Sequence, residues 1–317
     1  MILVPSWVSP LSEIICVVDR KAGLVQLYEE HSRGTCRGAA AWNAYHYKRT
    51  SDLVLDAYRD GARDVMLLRL GEGVLKLVPS YSSAGIEKVG LVSGRGGAEL
   101  VEVVYAGIGG ASVGITRCRT SSKGVKSLQI LEKRDKNGLG RTRFLFSPRV
   151  KLHVGIDDTD SKKGGATWSL ANEIGHRMGS KKGVSFMNHT LVQMYPGAPH
   201  KTTNCVATVL TFAVSQKGKG PLVKCILKDL RTSTKSDNTG MAVFEGISIP
   251  RRLFEFSRAA RSRLVTTHEA RALSDLVDIY QVTGAEGIIG AVGALGMSEE
   301  HEAAVVPAPE ASPPDKP

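Results

Sequence analysis

The chain has 317 residues, 42% of them hydrophobic, enough for two domains of ordinary size with real cores, and its formal net charge is +11. Such a charge calls for anionic partners: nucleic acid, nucleotides or an acidic protein. The absence of a long apolar run and of a signal-like N-terminus argues against a membrane span and predicts a cytoplasmic protein, and five scattered cysteines argue against disulfides and a zinc ribbon.

In chain order, the first half reads as short strands with one or two helices. Residues 24–29, 64–70, 74–78, 99–105, 127–132 and 142–146 carry strand-like sequence between Gly, Ser and Asn turns. This predicts an α+β domain over 1–148, built mainly on antiparallel sheet. Trp42, Tyr45, His46, Tyr47, Lys48 and Thr50, with Ser80 and Tyr81, form a polar-aromatic cluster that reads as an interface or a half-buried helix. The Gly-rich run 107–114 follows a strand and leads into a short helix, as a phosphate loop would, although tight packing asks for the same glycines. Residues 135–141 suggest a hairpin loop, and Ser147-Pro148-Arg149 a domain boundary. Lys133, Arg134, Lys136, Arg141, Arg143, Arg149 and Lys151 make one basic cluster, and Arg251, Arg252, Arg258, Arg261 and Arg263 another. With aromatic residues at 6%, no base-stacking platform stands out.

The second domain, 149–297, opens on the most informative stretch of the chain. Leu152, Val154 and Ile156 alternate with Lys151, His153 and Gly155, the period of a half-buried strand. From Thr167 the period becomes helical, with Leu170, Ile174 and Met178 on one face. Between strand and helix lie Asp157, Asp158, Thr159, Asp160, Ser161, Gly164 and Gly165. Three carboxylates beside an apolar strand are costly unless cations or donors meet them. A helix N-terminus and paired glycines favour a phosphate, and Mg²⁺ between the two reconciles acid with phosphate. Asp157, Asp158 and Asp160 are therefore candidate metal ligands, with Gly155, Ser161, Gly164 and Gly165 at the phosphates. An Asx-turn with a capping Asp or Ser would explain one or two of the acids. An EF-hand reading fails, because its sixth and twelfth positions would be Lys163 and Ser169. Asp158-Thr159-Asp160 also has the spacing of an aspartyl-phosphate phosphohydrolase, without that class's downstream acidic pair.

Further on come a strand at 190–194, a Pro-fixed loop and a strand at 205–214. The loop carries Lys201, Thr202, Thr203 and Asn204, a cation, two hydroxyls and an amide suited to phosphate oxygens. Helices are expected at 222–230, 252–263 and 268–280, with a turn at 236–240 and a small-residue segment at 284–291 that permits close packing or ligand approach. The Glu-, Ala- and Pro-rich residues 298–317 read as a disordered tail.

These motifs carry two resemblances. The cluster Ala41-Trp42-Asn43-Ala44-Tyr45-His46-Tyr47, the run Tyr105-Ala106-Gly107-Ile108-Gly109-Gly110-Ala111 and the Asp loop resemble the methanogenesis marker protein 11 family of methanogenic archaea. The Asp loop, the loop with Lys201-Thr202 and the segment Gly287-Ile288-Ile289-Gly290-Ala291 are similar, in that order, to the kinase-like domain of archaeal tRNA(Ile) agmatinylcytidine synthetase. The second resemblance spans about 150–296 and implies ATP and Mg²⁺ as cofactors at the Asp loop. It also implies a phosphorylated threonine at Thr167 and activation of a tRNA cytidine by phosphoryl transfer. Where that family has Lys-Thr-Arg-Gly-Asn, this chain has Lys201-Thr202-Thr203-Asn204-Cys205, which lacks the second cation. The synthetase's RNA-reading modules have no counterpart after residue 300.

The expected function is an ATP- and Mg²⁺-dependent, kinase-like phosphotransferase of methanogens that activates an RNA, a cofactor precursor or a protein. Asp157, Asp158, Asp160, Thr167 and Lys201 are its candidate catalytic residues. Gly155, Ser161, Gly164, Gly165, Thr167, Lys201, Thr202, Thr203 and Asn204 are its candidate nucleotide contacts. A noncatalytic nucleotide-binding assembly factor for a methanogenic enzyme, or an RNA-binding protein without chemistry, is the alternative.

Overall fold

The computed structural model describes residues 10–31, 39–79, 81–133, 138–199, 201–202 and 204–308. The chain divides into two compact units, Met1–Arg149 and Val150–Pro317. Expectations placed on Ser80, Arg134, Lys136 and Thr203 lie outside the described residues.

The first unit is built on two antiparallel sheets. One comprises β1 (Leu11–Asp19), β2 (Leu24–His31), β3 (Val54–Asp60) and β4 (Arg63–Arg69), in the order β1-β2-β4-β3. The other comprises β5 (Gly71–Glu72), β6 (Ala84–Ser93), β7 (Glu99–Ile108), β8 (Val125–Glu132) and β9 (Leu139–Phe146), in the order β5-β6-β7-β9-β8. Helices α1 (Ala39–Thr50) and α2 (Gly110–Arg119) complete it. Leu27, Leu68, Ile86, Val103 and Phe144, all fully buried, share one core. Inside that core Arg119 donates from Nε and Nη2 to the two carboxylate oxygens of Glu29, each at 2.7 Å. This two-pronged pair ties α2 to β2 and satisfies both charges where water is excluded.

The strand expected at 74–78 is absent: Leu75 and Val78 make only isolated bridges, to Ser51 and Ser82. Four strands beyond the expected ones, β1, β3, β5 and β6, complete the sheets. Within 107–114, Gly107 serves packing, since a Cβ there would stand 2.8 Å from the Ser112 nitrogen, and Gly109 takes a left-handed φ of 59.

The second unit is a layered α/β arrangement around one antiparallel sheet. Its strands are β10 (Val150–Asp157), β11 (Val184–Gln193), β12 (Val206–Val214), β13 (Gly240–Glu245) and β14 (Tyr280–Thr283), in the order β11-β12-β10-β13-β14. On one face Leu152, Val154 and Ile156 pack with α3 (Thr167–Gly179) and α4 (Lys219–Ser233) through Ile174, Met178 and Ile226. On the other, Ala207, Val209 and Ala242 pack with α5 (Arg251–Ser262), α6 (Thr267–Leu276) and α7 (Ile288–Leu295).

Strand β10 is therefore buried on both faces, which corrects the half-exposed reading. Its polar positions found internal partners instead of water. Lys151 Nζ lies 2.8 Å from a Glu299 oxygen, and burial pushes the His153 imidazole down to about 4, leaving it neutral. Gly155 lets α7 lie against the strand, because a Cβ there would stand 2.0 Å from the Ala291 carbonyl oxygen.

The start of the expected disordered tail is ordered. Helix α8 (His301–Val305) buries Ala304, and Arg261 donates to the carbonyl oxygens of Ala303 at 2.8 Å and Ala304 at 3.3 Å. Residues 309–317 lie outside the described residues. No described helix is long and apolar enough to cross a membrane.

Candidate functional site

The acidic loop hangs from the end of the central strand, and its shape comes from one left-handed residue and two glycines. Asp158 has φ 55, a conformation that Asp tolerates better than most side chains, while Gly164 and Gly165 adopt φ 143 and 96. Ser161 and Gly164 exchange backbone hydrogen bonds of 2.9 Å in both directions, closing a tight turn whose tip carries the exposed Lys162 and Lys163. The loop then enters α3 with Ala166 at the N-cap, so no side chain caps the free N–H groups of its first turn.

Two threonines meet at Asp160. The Thr167 hydroxyl donates to Oδ1 and the Thr202 hydroxyl to Oδ2, each at 2.7 Å. Thr167 in turn accepts from the Thr159 amide at 3.1 Å and from the Thr159 hydroxyl at 3.2 Å. Thr167 is itself buried. The loop of residues 199–204 is thus joined to the acidic loop across 42 positions of sequence.

A second group of hydroxyls comes from the turn before β13. Ser236 donates to Asp158 Oδ1 at 2.9 Å, and Thr239 donates to the Asp158 carbonyl oxygen at 2.8 Å. The Lys235 amide and the Thr234 hydroxyl both donate to the Thr159 carbonyl oxygen, at 2.8 and 3.2 Å. The N-terminus of α7 closes in from the other side without side chains. A Cβ at Gly287 would stand 2.4 Å from the Asn238 oxygen and 3.0 Å from Asp158 Cβ, and one at Gly290 would stand 1.8 Å from Asp157 Oδ2.

Asp157 is the electrostatic centre of the arrangement. Dense protein around its carboxyl pushes it up to about 8, with the neighbouring charges of Asp158 and Asp160 adding to the rise and the Asp158 amide opposing it. Asp158 is raised as well, first by burial and then by Asp160 and Glu286, against the Ser236 hydrogen bond. Both neighbouring carboxyls therefore resist ionising, chiefly because they are buried.

The three aspartates nevertheless do not form one ligand set. Among the described residues no group of three or more His, Cys, Asp or Glu side chains could hold a metal ion together. Asp160 is turned to Thr167 and Thr202, whereas Asp157 lies against α7. The three carboxylates expected as metal ligands are thus not gathered into one set in this structure.

Other expected contacts sort in the same way. Gly164 and Gly165 lie in the loop, Thr167 and Thr202 hydrogen-bond Asp160, and Asn204 is exposed. Gly155 is taken up by packing against α7, and the Ser161 hydroxyl accepts from the Lys163 amide at 3.2 Å within the turn. Lys201 is exposed, and its ammonium donates to the Pro196 carbonyl oxygen. Residues that sequence reasoning passed over are Ser236, Thr239, Glu286 and Trp168. The last, 55% exposed directly after Thr167, carries a readable signal: a large aromatic on the polar side of an amphipathic helix.

Comparison with known proteins places this geometry. The family described as the TiaS TCKD domain matches residues 153–229, which include the acidic loop, α3 and the 199–204 loop. The tRNA(Ile2) 2-agmatinylcytidine synthetase TiaS of Pyrococcus horikoshii is 31% identical over 46% of this chain and 35% of its own length. The TiaS of Cenarchaeum symbiosum is 30% identical over 46% and 33%. This chain thus spans about a third of the TiaS proteins it matches. The crystal structure of the TiaS–tRNA(Ile2)–ATP complex matches 46% of this chain and 36% of that one at 25% identity and a TM-score of 0.42, too loose a superposition to support functional reasoning.

The second unit is therefore a domain similar to the TiaS TCKD domain. The whole chain belongs to the family of the uncharacterized protein MJ0921 of Methanocaldococcus jannaschii, which is 41% identical over 92% of this chain and 95% of that protein.

Proposed function

We propose that the second unit binds ATP with Mg²⁺ at the acidic loop and uses it for phosphoryl transfer, with RNA as the final acceptor. The observation that carries this reading is the hydrogen bond from the Thr167 hydroxyl to Asp160 at 2.7 Å, at the uncapped start of a helix. A hydroxyl resting on a carboxylate is a nucleophile with its base in place.

In this reading Asp157 and Asp158 would hold a magnesium ion, which would supply positive charge to offset that of the phosphates. The first-turn N–H groups of α3 and the backbone of Gly164 and Gly165 take phosphate oxygens. Thr167 Oγ1 forms the new bond to the γ-phosphorus, the bond from that phosphorus to the β,γ-bridging oxygen breaks, the hydroxyl proton passes to Asp160, and ADP leaves. Thr202 holds Asp160 in line by occupying its second oxygen. Trp168 offers a face for a base.

RNA is favoured as acceptor because the matched relatives are named for a tRNA product and because this chain carries a formal charge of +11. The place of the protein in methanogenesis belongs to the same proposal and rests on the resemblance of its sequence motifs. Incubation of the pure protein with γ-labelled ATP, followed by phosphopeptide mapping, tests the first step: label at Thr167, absent from Thr167→Val, supports it.

One observation favours a noncatalytic nucleotide-binding accessory role, the turning of Lys201 onto Pro196. That contact occupies the Lys201 ammonium expected to offset charge on the transferred group. Tight ATP binding with no label on the chain or on any component of a cell extract would select this second reading.

A further inference from the structure

The first unit carries an aromatic surface that the acidic-loop chemistry does not use. Aromatic residues make up only 6% of the chain, and four of them, Trp42, Tyr45, Tyr81 and Trp168, stand exposed among the described residues. Three of these four lie together, where α1 meets the turn at 78–82. Low overall content conceals a local concentration.

The group is built around His46. The imidazole centre lies 4.1 Å from that of the Trp42 ring, 5.0 Å from that of Tyr45 and 5.8 Å from that of Tyr81, the last two edge to face. The imidazole itself is buried, and its Nδ1 lies 2.9 Å from the Ser82 hydroxyl. Tyr45 and Tyr81 join their hydroxyls at 2.7 Å. The three outer rings are thus held in one group while remaining 41%, 42% and 58% exposed for Trp42, Tyr45 and Tyr81. A single exposed ring is ordinary on a protein surface, whereas an ordered group of them marks an interaction site.

Cations border the rings. The Arg49 guanidinium lies 3.6 Å from the Tyr45 ring centre and donates to the Tyr45 carbonyl oxygen at 2.9 Å. Lys76 is exposed, and its amide donates to the Thr50 carbonyl oxygen at 2.8 Å, which sets it at the end of the same helix. Lys48, by contrast, is neutralised by Asp56 at 2.6 Å.

Rings beside cations match a single-stranded nucleic acid, whose bases lie on aromatic faces while its phosphates meet guanidinium and ammonium groups. A duplex hides its base faces and offers the rings nothing. An acidic protein would satisfy the cations but brings no repeating flat faces to stack on the rings.

We propose that Trp42, Tyr45 and Tyr81, with Arg49 and Lys76, form a docking platform for a single-stranded stretch of RNA, stacking about two or three bases. The choice of RNA over DNA rests on the acceptor proposed above. The platform itself does not depend on the acidic loop.

Fluorescence anisotropy of a labelled single-stranded RNA of roughly twelve nucleotides, titrated with full-length protein in the absence of ATP and Mg²⁺, tests this. Saturable binding is expected, with the same sequence as an RNA duplex bound clearly more weakly. Trp42→Ala and Tyr81→Ala should each weaken binding about fivefold or more, the loss of one base–aromatic stack, whereas Trp42→Phe, which keeps a ring, should retain most of the affinity. Lys76→Gln should flatten the fall of log affinity with log salt by about 0.7, the share of one phosphate contact on a single strand.

No saturable binding at low salt, unchanged affinity in both alanine variants, or equal binding of duplex and single strand overturns the proposal. Tighter binding of the matching DNA strand overturns the assignment to RNA. Absence of RNA binding together with self-association in sedimentation that Trp42→Ala abolishes assigns the face to a second copy of the chain instead. If Trp42→Ala fails to fold, Tyr81→Ala decides in the same two directions. Failure of Mg²⁺-dependent ATP binding beside intact RNA binding contradicts the acidic-loop reading alone.

Discussion

Gly290 makes room for Asp157: a Cβ at that glycine would stand 1.8 Å from Asp157 Oδ2. The absence of one methyl group on α7 therefore allows a carboxylate to sit at the end of the central strand. Gly290→Ala must displace either the helix or the carboxylate. Overpacking of this kind costs about 1–3 kcal/mol. The expected result is a lowered melting temperature together with nucleotide affinity reduced at least tenfold; unchanged values for both would show that the close approach is dispensable.

Asp157 is held at a price in stability. Its carboxyl is raised to about 8, so the folded protein binds a proton there that the unfolded chain releases near 4. For an acid with a raised value the sign is unfavourable: the penalty begins as pH rises past about 4 and is fully developed above about 8. Asp157→Asn removes it. The variant should be more stable than the wild type at pH 7 by about 2–4 kcal/mol, and no more stable near pH 3, while losing Mg²⁺-dependent ATP binding. Denaturant unfolding at the two pH values measures the difference.

Thr202 acts through Asp160 in this account. Loss of a hydrogen bond to a charged group is worth about 1.5–3 kcal/mol. Thr202→Ala should slow labelling of Thr167 about tenfold or more, and Thr202→Ser, which keeps the hydroxyl, should restore most of the rate. Equal loss in both variants would point to packing of the threonine methyl instead.

His31 gives the first unit an opposite pH dependence. Its titration point is raised, chiefly by the hydrogen bond with Asp64, against desolvation and the charge of Arg59. A raised histidine contributes stability that is complete below the unfolded value of about 6.5 and is lost as pH climbs through the folded value. The wild type should lose stability over that window, and His31→Gln should show a flatter profile. Parallel curves would contradict the ion pair.

Much of the second unit was legible in its sequence because the motif and the fold coincide. The switch from alternation to helical period around Asp157 and Thr167 marks a real strand, loop and helix, and Thr202 does come to the loop. The two-sided burial of β10 was not legible. Lys151 and His153 look like solvent positions until Glu299, almost 150 residues later, supplies a buried partner. Ser236 and Thr239 were hidden for a similar reason: turn-forming is the common task of such residues, and only the fold shows their hydroxyls aimed at Asp158. In the first unit, β1 and β6 each form a hairpin with the next strand, β2 and β7, but their buried residues run consecutively rather than alternating, so a period-two reading passed over them.

The central claim is that the Asp157–Asp158 pair binds ATP through magnesium. Calorimetric titration of the full-length protein with ATP, in Mg²⁺ and again in excess chelator, tests it most directly. Saturable binding in Mg²⁺ that disappears in chelator and in Asp157→Asn is the predicted result. Binding of equal strength with and without Mg²⁺, or no binding in either condition, would contradict it.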